Sequence, residues 1–193
     1  KSAVEMRWSR VGFTMPPGPE THHSRGACIS RATVHGSPQA LRCQDRADAG
    51  KSSKGIAGDD THGHVDDLCR FTGPRTVVLC REESPSDENY RALEENRERL
   101  EGARLQDGSR PEVIALPMPS PVVFDGRRLP ASYANFYVAN AAVLVPTFND
   151  PKDREALGIL GELFSDRPVV GIYAGDLVWG LGTIHCLTRQ QPG

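Results

Sequence analysis

Residues 73–118, GPRTVVLCREESPSDENYRALEENRERLEGARLQDGSRPEVIALPM, decide the fold class. Residues 76–80 (TVVLC) form an apolar, β-branched run after a Gly-Pro turn, and residues 112–118 (EVIALPM) form another after a turn around Asp107-Gly108. Both predict strands. Between them Ser84-Pro85-Ser86-Asp87 offers an N-cap, a proline at the first helical position and an acid in the first turn. That signature predicts a polar helix through about Arg104. Its inward stripe is Tyr90, Leu93, Arg97 and Leu100, and its outer positions carry i,i+4 charge pairs suited to water. Upstream, residues 64–71 alternate enough to predict a further strand, antiparallel to TVVLC across the Gly73-Pro74 turn. The resulting order is β-β-α-β.

The same order recurs downstream. Residues 135–139 and 142–145 predict two strands, Asn149-Asp150-Pro151 caps a helix through Phe164, and residues 168–173 (PVVGIY) predict the closing strand. The two helix starts are about 65 residues apart, longer than solenoid repeats, so a propeller-like or layered array of α/β modules is expected. A tail over residues 177–188, with Trp179, a glycine-rich turn and His185-Cys186, opens a third unit. Repeat modules need neighbours to bury their faces, so the chain reads as a piece of a longer array.

Residues 1–53 are different text, rich in Pro, Gly, Ser and charge, and without a period of 2 or 3.6. Such a segment cannot offset its ordering entropy by burial, so disorder is expected there, with the folded part spanning 54–193. His22, His23 and Cys28 match no closed metal site, and the segment's basic excess suits at most an acidic partner. Over all 193 residues, 23 basic against 25 acidic side chains leave a net charge of −2, which argues against nucleic acid as a partner. The apolar runs fall far short of the roughly 20 residues a membrane span needs. No apolar core follows the basic N-terminal residues, so no secretory signal is read. Five cysteines without a CxxC pair fit a reducing, cytoplasmic setting.

The densest ionisable cluster is GDDTHGHVDD, residues 58–67. His62, His64 and Asp66 spell H-x-H-x-D, similar to the start of the zinc motif of metallo-β-lactamase-type hydrolases. Asp67 stands where that motif has a second His, and His185 is the sole histidine downstream. On a strand, His64 and Asp66 would share one face and serve one pocket. The other reading adds Cys186. Cys28, Cys43, Cys69 and Cys80 read as small inert hydrophobes, whereas Cys186 follows a GLGT turn and adjoins a histidine, the setting of a nucleophilic thiol.

Three runs in order, GIAGDDTHGHVDDLCRF, LPASYANFYVANAAVLVPTFNDP and VVGIYAGDLVWGLGTIHCLTRQQP, closely resemble the C-terminal part of agmatine deiminases, in the bacterial peptidyl-arginine deiminase-like family. The resemblance implies a partial five-bladed α/β propeller, the pentein fold, built of β-β-α-β modules. It implies hydrolysis of agmatine to N-carbamoylputrescine and ammonia, a step in putrescine biosynthesis, without metal or cofactor. The family's G-H-x-D motif falls on Gly63-His64-Val65-Asp66 and its terminal H-C motif on His185-Cys186. By resemblance Cys186 attacks the guanidinium carbon, His64 protonates the departing ammonia and then activates water, and Asp66 with Asp60 holds the planar cation. Forked N–H donors suit bidentate carboxylates. The same acids raise the thiol's pKa and a bound cation lowers it, so the substrate is expected to help ionise Cys186.

Peptidyl-arginine stands as the alternative substrate, and a zinc hydrolase and a non-catalytic fragment as rival readings. A homo-oligomer is compatible with the bare sheet edge that an incomplete array leaves. Trp179 reads as packing, Tyr133, Asn135 and Asn140 as strand ends, Asp59 and His62 as loop supports, and His185 as a brace for its turn.

Overall fold

The computed structural model describes residues 32–34, 37–39, 55–59, 63–105 and 107–189. Within residues 1–53 only the hairpin strands β1 (Ala32–Val34) and β2 (Ser37–Gln39), paired antiparallel, are described. The expectation of disorder for the rest, and the readings placed on His22, His23, Cys28, Cys43, Asp60 and His62, lie outside the described residues.

Two three-stranded sheets carry the remainder. In the first, β3 (Cys69–Phe71) pairs antiparallel with β4 (Thr76–Arg81), and β4 pairs parallel with β5 (Glu112–Pro117), Val77 facing Val113 and Leu79 facing Ala115. A parallel pair needs a crossover, supplied by α1 (Tyr90–Gly102). Central β4 is apolar from Val77 to Cys80 because both its faces are covered, and all four residues are buried. Leu93 and Leu100 dock α1 onto this sheet, each worth about 1.5–3 kcal/mol of burial. In the second sheet β8 (Tyr137–Val138) pairs antiparallel with β9 (Val143–Thr147), and β9 pairs parallel with β10 (Val169–Tyr173) after the crossover α2 (Asp153–Leu163). The two β-β-α-β units expected from the sequence are thus both present. Phe136 and Phe164 meet edge to face at 5.7 Å between ring centroids, within one continuous core that joins the units.

Several expectations need correction. The strand predicted from residue 64 begins only at Cys69, and a 3₁₀ turn (Val65–Asp67) precedes it. Helix α1 starts at Tyr90 rather than beside Pro85, because its would-be first turn is engaged elsewhere. Asp87 accepts from the Asn89 N–H at 2.8 Å and from Arg128 Nη1 through both oxygens at 2.9 and 3.0 Å. The strand predicted over 135–139 contracts to Tyr137–Val138. A second hairpin went unpredicted: β6 (Val123–Phe124) and β7 (Arg127–Arg128) turn through Asp125 and Gly126 at φ of 47° and 71°. Two positive φ values define the turn that matches strand twist, and Asp-Gly is its usual sequence.

Candidate active site

The loop that carries His64 is held from three sides. Ile56 is buried in the core. Asn89, itself buried at the start of α1, accepts from the Ala57 N–H at 2.6 Å. Gly58, at φ 90°, passes so close to β7 that an added Cβ would lie 2.4 Å from the Arg128 carbonyl oxygen, a position only glycine fits. Asp59 then turns the chain, its Oδ2 accepting from the Gly63 and His64 N–H groups at 3.0 and 2.9 Å.

His64 precedes the 3₁₀ turn with extended backbone angles, and Asp66 and Asp67 lie within that turn. The same-face argument for His64 and Asp66 on a strand therefore does not apply. What brings the groups together is tertiary. One ligand atom each of His64, Asp66, Asp67 and Cys186 lies within 4.8 Å of the others. The Cys186 thiol donates to Asp66 Oδ2 at 3.4 Å. His185 Nδ1 lies 2.8 Å from the same oxygen. An ionised carboxylate can only accept, so that imidazole nitrogen carries the proton. Burial works to raise Asp66, but the hydrogen bond and charge of His185, with the Cys186 thiol, outweigh it and hold the carboxyl at about 2.

Sequence reading gave no site role to Asn135, which is fully buried. Its Oδ1 accepts from the Thr183 N–H at 3.2 Å, the Thr183 hydroxyl at 2.9 Å, the His185 N–H at 3.0 Å and the Cys186 N–H at 3.3 Å. Its Nδ2 faces Asp67 Oδ1 at 2.8 Å, Cys186 Sγ at 3.1 Å and Asp66 Oδ2 at 3.2 Å. Arg70, on β3, brackets it by donating to the Ala134 and Phe136 carbonyls at 3.4 and 2.9 Å, with its guanidinium 4.8 Å from the Phe136 ring centroid. The only sequence signal for this hub was one carboxamide in the apolar run ASYANFYV, since a buried amide must find partners.

Electrostatics separate the two neighbouring acids. Asp67 is buried, and desolvation together with the charges of Asp66 and Asp59 pushes it up to about 7 against the pull of Asn135 and Arg70. Desolvation and the same two carboxylates, Asp66 and Asp67, push the Cys186 thiol up to about 11, opposed by the Asn135 N–H. Cys69 and Cys80 are buried and pushed up to about 12, chiefly by desolvation, consistent with inert thiols. Gly182 leaves room for the nucleophile candidate, because a Cβ there would lie 2.7 Å from Cys186 Cβ and 2.8 Å from Sγ. His64 and Cys186 are exposed, so a solute can reach both.

An acid ionised at any ordinary pH, an imidazole and an accessible thiol thus share one spot, with net negative character that favours a cation. The same donors would also fit a metal ion at this spacing. Trp179, read as packing, is half exposed and stacks closely on Phe124 of β6. Tyr133 is buried and donates to Asp153 Oδ1 at 2.7 Å, and so anchors α2 rather than ending a strand.

Residues 51–192 match the family model described as Porphyromonas-type peptidyl-arginine deiminase. An agmatine deiminase from Medicago truncatula is 38% identical over 160 residues, covering 72% of this chain and 43% of that protein. A provisionally assigned arginine deiminase from Porphyromonas gingivalis superimposes with a TM-score of 0.70 at 45% identity, over 72% of this chain and 41% of its own. A Cys-to-Ser variant of the C. jejuni agmatine deiminase with substrate bound gives 0.62 at 33% identity, over 67% and 37%. The chain spans less than half the length of these relatives. Among the described residues no helix is long and apolar enough to cross a membrane.

Proposed function

The chain belongs to the Porphyromonas-type peptidyl-arginine deiminase family, and from that membership and the site we propose that it is the C-terminal part of a deiminase that converts a guanidinium group to a ureido group and ammonia. The substrate proposed is agmatine and the product N-carbamoylputrescine, one step from putrescine. Agmatine deiminases predominate among the named relatives, which favours the free amine over peptidyl-arginine. The two β-β-α-β units are read as neighbouring blades of a five-bladed propeller whose other blades lie outside this chain.

In the proposed mechanism the Cys186 thiolate attacks the guanidinium carbon and forms a C–S bond. His64 gives a proton to one nitrogen, the C–N bond breaks, and ammonia departs. His64 then takes a proton from water, the hydroxide adds to the thiouronium carbon, and the C–S electrons return to sulfur as the ureido product leaves. Asp66, ionised throughout, holds the planar cation, and Asp60 is proposed to share it. No step draws on a metal or cofactor.

The observation that carries this reading is the convergence of His64, Asp66 and Cys186, from segments about 120 residues apart, at one exposed spot. The test is ureido colorimetry on the purified chain with agmatine and, separately, with an arginine peptide, beside Cys186→Ala and a chelated sample. Ureido product from agmatine that vanishes with Cys186→Ala and survives chelation is expected. Loss on chelation would replace the thiol mechanism with a metal-dependent one. No product from the folded chain would mean that the missing blades are required, or that the chemistry is lost.

A further inference from the structure

The β6–β7 hairpin, far from the reacting groups in sequence, touches the segments that carry both His64 and Cys186. On the His64 side its backbone at Arg128 meets Gly58, where an added Cβ would lie 2.4 Å from the Arg128 carbonyl oxygen. The Arg128 side chain reaches both oxygens of Asp87 through Nη1, at 2.9 and 3.0 Å, with 15% and 12% of the two side chains exposed. Asp87 accepts the Asn89 N–H at 2.8 Å, and Asn89 Oδ1 accepts the Ala57 N–H at 2.6 Å. A closed ring therefore runs from β7 through the start of α1 to Ala57 and Gly58, and back to β7. On the Cys186 side Phe124 of β6 stacks on Trp179, and Leu129 packs with Val178 in a small apolar cluster. Val178 and Trp179 belong to the 3₁₀ turn (Leu177–Gly180) that leads into the loop of Gly182 and Cys186. We propose that the β6–β7 hairpin is a positioning clamp, in which Arg128 and Phe124 hold the His64 loop and the Cys186 loop at their working separation. This rests on the reading of His64 and Cys186 as partners on one substrate.

His64 is the group that needs such a device. Asp66, His185 and Cys186 bind one another directly, so their mutual placement is secured within the site. The His64 ring has no hydrogen bond among the described residues, and only its backbone N–H is held, by Asp59. Its place is therefore set by its loop, and the loop is set by what grips Ala57 and Gly58. The Arg128–Asp87 pair suits that task, because an ion pair largely shielded from water is screened little, and removing the guanidinium would strand the carboxylate. The Phe124–Trp179 stack is half exposed, with Val123 beside it more exposed still, so it adds little to the core and mainly fixes where the 3₁₀ turn lies. Between the two contacts the hairpin is short and stiff. Val123 pairs with Arg128 and Phe124 with Arg127 across the tight Asp125-Gly126 turn, and Leu129 N–H donates to the Val122 carbonyl at 2.8 Å. A shift at one contact is thus carried to the other.

The test is bridging of His64 to Cys186 by 1,3-dibromoacetone, which loses one bromide as the sulfur forms a C–S bond and the other as an imidazole nitrogen forms a C–N bond, the two protons passing to buffer. One ligand atom of each residue lies within 4.8 Å of the other, a gap the three carbons can span. The bridged peptide pair is counted by mass spectrometry at one pH, relative to Cys186 alkylated by iodoacetamide, and His64→Gln identifies it by its loss. Arg128→Met keeps the aliphatic stem and removes the charge, and Phe124→Ala removes the stack. Each should lower the bridged fraction roughly tenfold on proximity grounds, while iodoacetamide still reaches Cys186 and buried Cys69 and Cys80 stay protected as in the parent. Arg128→Lys should recover most of the bridging, because a single nitrogen makes both contacts to Asp87. Parent-level bridging in either folded variant overturns the proposal, as does a parent chain that forms no bridge. Should Arg128→Met lose the protection of Cys69 and Cys80, Phe124→Ala, a change at an exposed position, decides alone. Bridging lost in the variants without ureido product from the parent would sink the deiminase reading and leave the clamp standing. Ureido product with bridging unchanged would sink the clamp alone.

Discussion

His185 Nδ1 and Asp66 Oδ2, 119 positions apart in the chain, stand 2.8 Å from each other and fasten the C-terminal loop to the 3₁₀ turn ahead of β3. The pair makes adjacent Cys186 part of the same cluster, since its sulfur contacts the same carboxylate oxygen. His185 was expected to brace only its own turn. It braces the candidate site.

Acid stability should report this pair. Asp66 is depressed from 3.8 to about 2 in the fold, so its contribution is present above about pH 4 and is lost as pH falls toward about 2. His185→Ala removes the main opposing influence to burial and should raise the folded Asp66 pKa toward its unfolded value, which shrinks the acid-dependent part of the stability. Between about pH 5 and pH 2 the urea-unfolding midpoint should therefore fall less in the variant than in the parent, the variant being the less stable at pH 5 and the two curves converging toward pH 2. Superimposable curves would show that the contact contributes nothing.

Asp67 should behave in the opposite sense. Its folded pKa is raised from 3.8 to about 7, so the stability it confers is present below about pH 4 and lost as pH rises through about 7. Asp67→Asn keeps an acceptor for the Asn135 N–H and removes the charge that appears in that interval. The variant's stability relative to the parent should therefore be greater at pH 8 than at pH 4, by about 1 kcal/mol or more in chemical denaturation. A difference independent of pH would mean that Asp67 is already ionised at pH 4.

The parts of the molecule legible in the sequence are those fixed by local pattern. TVVLC, EVIALPM and PVVGIY fall on β4, β5 and β10 because short apolar, β-branched runs bounded by turn residues have few alternatives, and their recurrence exposed both β-β-α-β units. Residues whose partners are distant were misread. Ser84 to Asp87 has every mark of a helix start, yet Asp87 is claimed by Arg128, 41 residues on, and Asn89 by Ala57, 32 residues back. Asn135 looked like a strand end because its partners arrive with the loop at Thr183 to Cys186, some 50 residues later. Cys186 was singled out by its own neighbours and Asp66 was expected to raise its pKa, whereas the contributions of Asp67 and Asn135 to that acidity are visible only in three dimensions.

A guanidinium ligand should ionise Cys186. Desolvation and the two nearby acids hold the thiol at about 11, so the free protein carries almost no thiolate at neutral pH. A planar cation seated on Asp66 cancels part of that field. The ultraviolet thiolate signal, taken as the difference between the parent and Cys186→Ala, should titrate near pH 11 alone and at least one unit lower with saturating agmatine. A difference signal complete by about pH 6 without ligand would refute the idea.

Gly182 and Gly180 flank one residue in the turn before Cys186, and they should tolerate substitution very differently. A Cβ at Gly182 would lie 2.7 Å from Cys186 Cβ and 2.8 Å from its sulfur, whereas one at Gly180 meets nothing within 4 Å. Neither glycine has the positive φ that would itself penalise alanine, so the contrast is steric. In Gly182→Ala the thiol must move, and the Asn135 and Asp66 contacts at 3.1 and 3.4 Å are too short to survive a displacement of about an ångström. Ureido formation should drop roughly a hundredfold on proximity grounds, and the pH midpoint of Cys186 alkylation by iodoacetamide should shift as well. Gly180→Ala should keep the parent's profile in both measurements. Equal effects at the two positions would show that the turn, rather than the seat of the sulfur, is what glycine provides.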